Sequence, residues 1–184
     1  MAELHLSKPA LRALGIAESF LANRQSSWIA GVVMRGDLRV DGVAFSQATV
    51  GGDDATEAVL EIYEGLRRED VNVLILSGAV ISWFNIIDIQ QVFERVERPV
   101  VSLTYEESSG LGDHIRRHFS DPEEKLRRYE RLGARERVWL GTGYDVYIRS
   151  AGASTREARA LLDRFTLEGR IPEPVRLALS LIHI

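Results

Sequence analysis

Apolar side chains fall into short runs separated by polar and glycine-rich breaks, and the spacing differs from run to run. SWIAGVVMRG (27–36) alternates poorly and is rich in β-branched residues, the pattern of a largely buried strand. PALRALGIAES (9–19) before it reads as another strand, ending near Ala17. LRVDGVAFSQATV (38–50) follows the turn signal Gly36-Asp37, so runs 27–36 and 38–50 are expected to form a hairpin. In GGDDATEAVLEIYEGLRRED, Asp54 precedes Glu57 by three residues, as in a capping box, with Ala58, Ile62 and Leu66 at helical spacing. VNVLILS (71–77) has the pattern of a strand buried on both faces. A helix is expected around IIDIQQVFERV, and Pro99-Val100-Val101-Ser102-Leu103 reads as the next strand.

The order is therefore β-β-β-α-β-α-β. Three meandering strands followed by βαβ crossovers predict a mixed sheet with helices on both faces. The rest adds a charged helix (PEEKLRRYERLG), a strand pair (RVWLGTG and YDVYIRS, with Gly141 and Gly143 at the turn) and helices at STREARALLDRFTL and PEPVRLALSLI. Ser154 or Thr155 can cap the first of these helices, and Pro172 suits the first turn of the second. Glu106–Gly112 is the expected mobile loop. The 184 residues are read as a single domain, 1–184, large enough for a sizeable core.

Composition narrows the chemistry. There is no cysteine, which excludes disulfides, thiolate catalysis and cysteine-bound zinc or iron–sulfur sites, and fits a cytoplasmic protein. No run of about 18 apolar residues exists, so no membrane span is expected, and the first residues lack the form of a secretory signal. The formal net charge is −4, unevenly spread: residues 1–110 carry net −7 and residues 111–184 net +3. The 23 basic residues are 21 Arg and 2 Lys. Arg suits bidentate phosphate contacts, although the same bias arises from base composition alone.

Several segments together resemble a known family: LGIAES, GVVMRGDLRVDGV, GGDDATEA, LILSGAVISWFNIIDI, RPVVSLTYEE and the closing GRIPEPVRLA. FNIIDI and GRIPEP at this separation are the most specific. The chain resembles the archaeal DUF99 (UPF0215) family, which is related to endonuclease V and implies a ribonuclease H-like fold. Enzymes of that kind place acidic side chains at the ends of the first and fourth strands, and another near the first helix, to hold Mg²⁺ or Mn²⁺. Such an ion activates water and stabilises the leaving oxygen of a phosphodiester.

By this resemblance the first-strand acid falls at or beside Ala17, in Gly15-Ile16-Ala17-Glu18 where the family reads G-I-D-D, and the fourth-strand acid at Ser77, where the family reads D-G. Both are neutral here, so a degenerate site with Glu18, Asp53, Asp54 and Ser77 is implied. Glu18 points away from Ala17 unless the strand ends or bulges there. Asp53, Asp54 and Asp88 are the candidate metal ligands, if a metal binds; Asp54 and Asp88 suit helix starts equally well. Trp83 can stack an unpaired base or belong to the core, and Asn85 can bond a base or cap the following helix. Arg116, Arg117 and Arg170 are candidate phosphate contacts, against a default of solvated or structurally paired arginines. Arg170, Glu173 and Arg176 in and beyond GRIPEP either pair structurally or reach into the cleft. Ser77 lacks a nucleophile elbow, and of His5, His114, His118 and His183 two lie at the termini, so serine hydrolysis is not expected.

The leading expectation is a DNA- or RNA-binding or -processing protein whose cleavage is weak or absent, with or without a divalent metal. One alternative is an active Mg²⁺-dependent endonuclease using displaced carboxylates. The other is a scaffold, bound to a protein partner or to a second copy.

Overall fold

The computed structural model of the protein describes Lys8, residues 10–21 and residues 23–182. His5, Pro9 and His183 lie outside the described residues. Seven strands form one sheet in the order β3-β2-β1-β4-β7-β9-β8. β1 (Arg12–Ser19), β2 (Ser26–Arg35) and β3 (Val40–Thr49) make the antiparallel meander. β4 (Val73–Ser77) and β7 (Val100–Thr104) join parallel to β1, and β9 (Asp145–Ala151) and β8 (Glu136–Trp139) close the far side antiparallel.

Parallel strands need crossovers, and the helices α1 (Ala55–Leu66) and α2 (Ile89–Val96) supply them on one face. α5 (Thr155–Phe165) and α6 (Glu173–Ile182) cover the other. Side chains of the central strands alternate between two cores. Leu14, Ile16, Leu74 and Leu76 join α1 and α2, while Ala13, Ala17, Val73 and Ile75 join α5 and α6. Both sets are buried, which explains the near-continuous apolar reading of these strands. Two further helices, α3 (Gly112–His118) and α4 (Glu123–Arg131), follow β7. No helix among the described residues is long and apolar enough to cross a membrane.

Local chemistry departs from expectation in a few places. The β2–β3 turn places Leu38, not Gly36, in the left-handed region (φ 67°). Asp54 does sit at the N-cap of α1, but its side chain bonds no helix amide and the expected capping box with Glu57 does not form. Ser154 does form one with Glu157 at the start of α5. A short hairpin, β5 (Val80–Ile81) and β6 (Asn85–Ile86), occupies what reads in sequence as the approach to the second helix.

β3 is an edge strand. Trp28, Val40, Val43 and Phe45 share the face that α6 leaves bare there, each between 42 and 51 % exposed. No charged residue occurs from Gly42 to Thr49.

Candidate functional site

The carboxyl ends of β1, β4 and β7 converge at one edge. Ile16 pairs with Leu76 in parallel register, so the next residues, Ala17 and Ser77, lie side by side. By alternation both face the α5–α6 side, where Ala17 is buried. Ser77 pairs with Leu103 on β7, and Tyr105, two residues on, projects to the same face and packs into that core. The Tyr105 hydroxyl is buried without a hydrogen bond of normal geometry. Burial pushes its pKa up, against the opposing influence of Ser77, Arg176 and Arg170, so it stays a neutral O–H donor at neutral pH.

α6 presses close on this edge. A Cβ built on Gly15 would lie 2.4 Å from the Pro174 carbonyl carbon and 2.6 Å from the Val175 nitrogen. The segment leading into α6 carries Arg170, which donates through Nη1 to the Tyr105 carbonyl and lies 5.9 Å from the Tyr144 ring centre. Arg176 donates to the Glu168 carbonyl and pairs with Glu173 at 3.4 Å. An open groove of about 510 Å³ beside it is lined by Thr142, Tyr144, Leu167, Glu168, Gly169 and Arg176. The sequence gives no sign of Tyr105, because nothing in LTYEE marks its burial.

Glu18 faces the opposite side. β1 keeps regular pairing with β2 through Glu18 and Ser19, with no bulge to turn Glu18 toward Ala17. Its carboxylate instead accepts from the Ser82 amide (2.9 Å) and Ser82 hydroxyl (2.7 Å).

Those bonds clamp an unusual turn. Ser82, Trp83 and Phe84 have φ of 45°, 59° and 62°, three successive non-glycine residues in the left-handed region. Such residues carry strain of order 1–3 kcal/mol each and persist only where the surroundings over-determine them. Here Ser82 also bonds Ser27, the Gly51 amide donates to the Ser82 carbonyl, and Lys125 donates to the Phe84 carbonyl. Trp83, 43 % exposed, stands at the tip. Its ring is 6.3 Å from Phe20 in a stacked arrangement, and edge-on to Phe84 (5.3 Å) and His118 (5.0 Å).

The candidate acids near the first helix are occupied. Asp54 accepts from the Thr49 amide and hydroxyl and from the Asn85 amide group. Burial raises its pKa, but the hydrogen bonds from Thr49 and Asn85 outweigh it, and the carboxyl ends below its usual value. Asn85 is fully buried, donates to the Thr49 carbonyl as well, and accepts from the Ala55 amide. It caps α1, not the helix that follows it in sequence, and leaves no amide for a base. Asp88 caps α2 through the Gln91 amide and lies 3.8 Å from Arg131. Asp53 pairs with Lys125 (3.0 Å) and Arg128 (3.4 Å). Lys125 is almost enclosed. Its ammonium donates to the carbonyls of Gly51, Gly52 and Phe84 and to Asp53, and lies 4.8 Å from the Phe119 ring centre. Arg116, an exposed member of α3, pairs with Asp113; Arg117 is exposed beside it.

The residues present do not fit a divalent ion of the kind the resemblance implies. Mg²⁺ needs hard, preferably anionic oxygens at about 2.1 Å. The two strand-end positions offer a methyl and a hydroxyl, with two guanidinium groups nearby. Glu18 borders one small cavity with Ala17 and Ser77, but its carboxylate is held by Ser82; Asp53, Asp54 and Asp88 lie elsewhere, each held by donors of the chain. Among the described residues no cluster of three or more acidic or histidine side chains is placed to hold a metal ion.

Comparison with known proteins agrees with this architecture. A Pyrobaculum calidifontis UPF0215 protein is 37 % identical over 166 residues, covering 90 % of this chain and 91 % of that protein. A crystal structure of an Archaeoglobus fulgidus protein superposes with a TM-score of 0.78 at 28 % identity, covering 95 % of this chain and 99 % of the other. Ciona intestinalis endonuclease V, crystallised with an inosine-containing DNA, gives a TM-score of 0.60 at 11 % identity, covering 94 % and 84 %. That likeness establishes an endonuclease V-like, ribonuclease H-type fold. The family model of endonuclease dU matches residues 9–181, and the chain belongs to that family.

Proposed function

We propose that the protein binds nucleic acid, stacking an unpaired base on the Trp83 turn, and that strand cleavage by a divalent metal is weak or absent. The observation that carries this reading is the clamped left-handed turn, which holds a large aromatic side chain exposed at the strand-end edge. Strain maintained by so many bonds from separate elements points to a use for the side chain it displays. Base–aromatic stacking tolerates any sequence, since every base has a π-face. The family's name and the inosine-containing DNA bound by the Ciona relative support nucleic acid as the ligand class. Ala17 and Ser77 support the absence of cleavage, since neither supplies charge to a metal.

The test is fluorescence anisotropy in EDTA with labelled single-stranded oligonucleotides, unmodified or carrying one deoxyuridine or inosine. Trp83→Ala is expected to weaken binding about tenfold, the loss of one stacking contact of roughly 1–3 kcal/mol. Wild-type affinity in a folded Trp83→Ala variant would sink the stacking claim.

The β3 edge favours a second reading, a protein-interaction role in which a second copy pairs along that strand. Exposed, uncharged edge strands invite strand addition, and natural proteins ordinarily guard them with charge. From Gly42 to Thr49 the strand carries no charge, and Asp41 before it is paired with Arg12, so a second copy meets it without opposing free like charges. Sedimentation equilibrium is expected to show a dimer that Phe45→Lys converts to monomer; a wild-type monomer at all concentrations would dismiss this reading.

A further inference from the structure

The edge where Ala17 and Ser77 lie side by side lacks carboxylates, yet it is not featureless. From the Ser77–Leu103 pairing, Ser77 and Tyr105 present two hydroxyls to one face. The Tyr105 hydroxyl is sealed from solvent with no hydrogen bond of normal geometry, and the hydroxyl nearest to serving it is that of Ser77. Buried hydroxyls are nearly always hydrogen-bonded, because an unmade bond costs about 1–3 kcal/mol. A hydroxyl held this poorly has room for a better acceptor than Ser77.

The surrounding charge says which sort of partner. Arg170 commits one of its nitrogens to the Tyr105 carbonyl and leaves the rest of its guanidinium over the Tyr144 ring. Arg176 has a buried Nε, and Glu173 at 3.4 Å stands at ion-pair distance without hydrogen-bond geometry. Of the four groups, Arg176 lines the groove of about 510 Å³, so access runs past its guanidinium. Its other acidic neighbour, Glu168, is exposed and 3.8 Å away. Ser77, Arg176 and Arg170 all act on the Tyr105 hydroxyl, and Asp145, the carboxylate near Arg170, is already paired with Arg137 at 2.7 Å; two hydroxyls and two guanidinium groups in one neighbourhood suit an oxyanion, since guanidinium presents paired N–H donors matched to phosphate.

We infer that the strand-end centre of this chain is an anion site, in which a phosphate group sits on Ser77, Tyr105, Arg170 and Arg176 in place of a metal ion. The inference deepens the nucleic-acid reading and rests on it only for the source of the phosphate. A backbone phosphodiester and a free phosphate share the chemistry, and the experiment separates them.

The first arm measures thermal stability in EDTA against inorganic phosphate, with chloride at matched ionic strength as control. Wild type is expected to gain several degrees from phosphate. Tyr105→Phe keeps the ring packing, removes the hydroxyl, and should fold at least as stably as wild type without phosphate; its apparent phosphate affinity should fall at least fivefold. Arg170→Ala should show the same loss. The second arm repeats the oligonucleotide titration. A fivefold or larger loss for Tyr105→Phe identifies the ligand as a nucleic-acid phosphate. Phosphate stabilisation that depends on Tyr105, with no effect on oligonucleotides, identifies a free phosphate. In that case the anion site stands even if Trp83→Ala shows the nucleic-acid reading to be wrong. Equal phosphate response in wild type, Tyr105→Phe and Arg170→Ala overturns the inference, as does stabilisation by Mn²⁺ that Ser77→Ala abolishes.

Discussion

Lys125→Met should destabilise the protein by about 3 kcal/mol or more, the range for removing one partner of a buried charged network. For a chain of this size that is roughly a 10 °C fall in Tm. The reason lies in the number of groups one ammonium satisfies. Lys125 is only 7 % exposed in its side chain and binds Asp53 at 3.0 Å. Gly52 and Phe84 carbonyls lie at 2.9 and 3.1 Å, and Gly51 at 3.4 Å. Methionine fills a similar volume but leaves these acceptors without their shared donor. Lys125→Arg should not restore stability, because a planar fork does not reproduce a compact ammonium among converging carbonyls. The Phe84 bond also holds the Trp83 turn, so Lys125→Met should disorder that turn below the global transition. Differential scanning calorimetry with amide exchange at residues 82–85 checks both parts. A stable variant with an intact turn would mean that water replaces the lysine at little cost.

Gly15→Ala should cost about 3 kcal/mol, with a larger effect on α6 than on the rest of the sheet. The added methyl meets backbone, not a flexible side-chain end: the Pro174 carbonyl carbon at 2.4 Å and the Val175 nitrogen at 2.6 Å. Interiors are packed too closely to absorb such an insertion without moving an element. Relief requires α6 to lift from β1, and α6 carries Arg176. A reduced phosphate response should therefore accompany the loss of stability, which urea denaturation measures. If Gly15→Ala unfolds at the wild-type midpoint, the close approach of α6 to β1 is not present in solution.

Much of the fold is legible in the sequence because buried parallel strands and amphipathic helices carry strong periodic signals. VNVLILS and the three-strand meander can be placed from apolar runs alone, and Ser154, one of two capping candidates in the sequence, is the residue that caps α5, whereas the capping box read at Asp54 and Glu57 does not form. The hairpin Val80–Ile86 is different. Two-residue strands have no period to detect, and its turn uses serine, tryptophan and phenylalanine where glycine or asparagine is the usual sign. Only tertiary bonds from Glu18, Ser27, Gly51 and Lys125 make that turn possible, and these partners are distant in sequence. Lys125 shows the same limit. PEEKLRRYERLG reads as a solvated helix, and the one hint of a special role is a lysine kept among arginines. Asn85 and Asp54 were recognisable as capping types, but which helix Asn85 caps depends on the chain's path. Neutral Ala17 and Ser77 stood out by comparison with a family pattern, whereas the Tyr105 hydroxyl beside them shows only in three dimensions.

Nucleic acid is expected to bind at this edge without a divalent ion. The most direct measurement is the oligonucleotide titration run twice, in EDTA and in saturating Mn²⁺, followed by denaturing electrophoresis of the same samples. Binding of similar strength in both, sensitive to Trp83→Ala, with intact strands afterward, is the predicted result. Affinity that appears only with Mn²⁺, or scission that follows the metal, would contradict it and restore a metal centre to this fold.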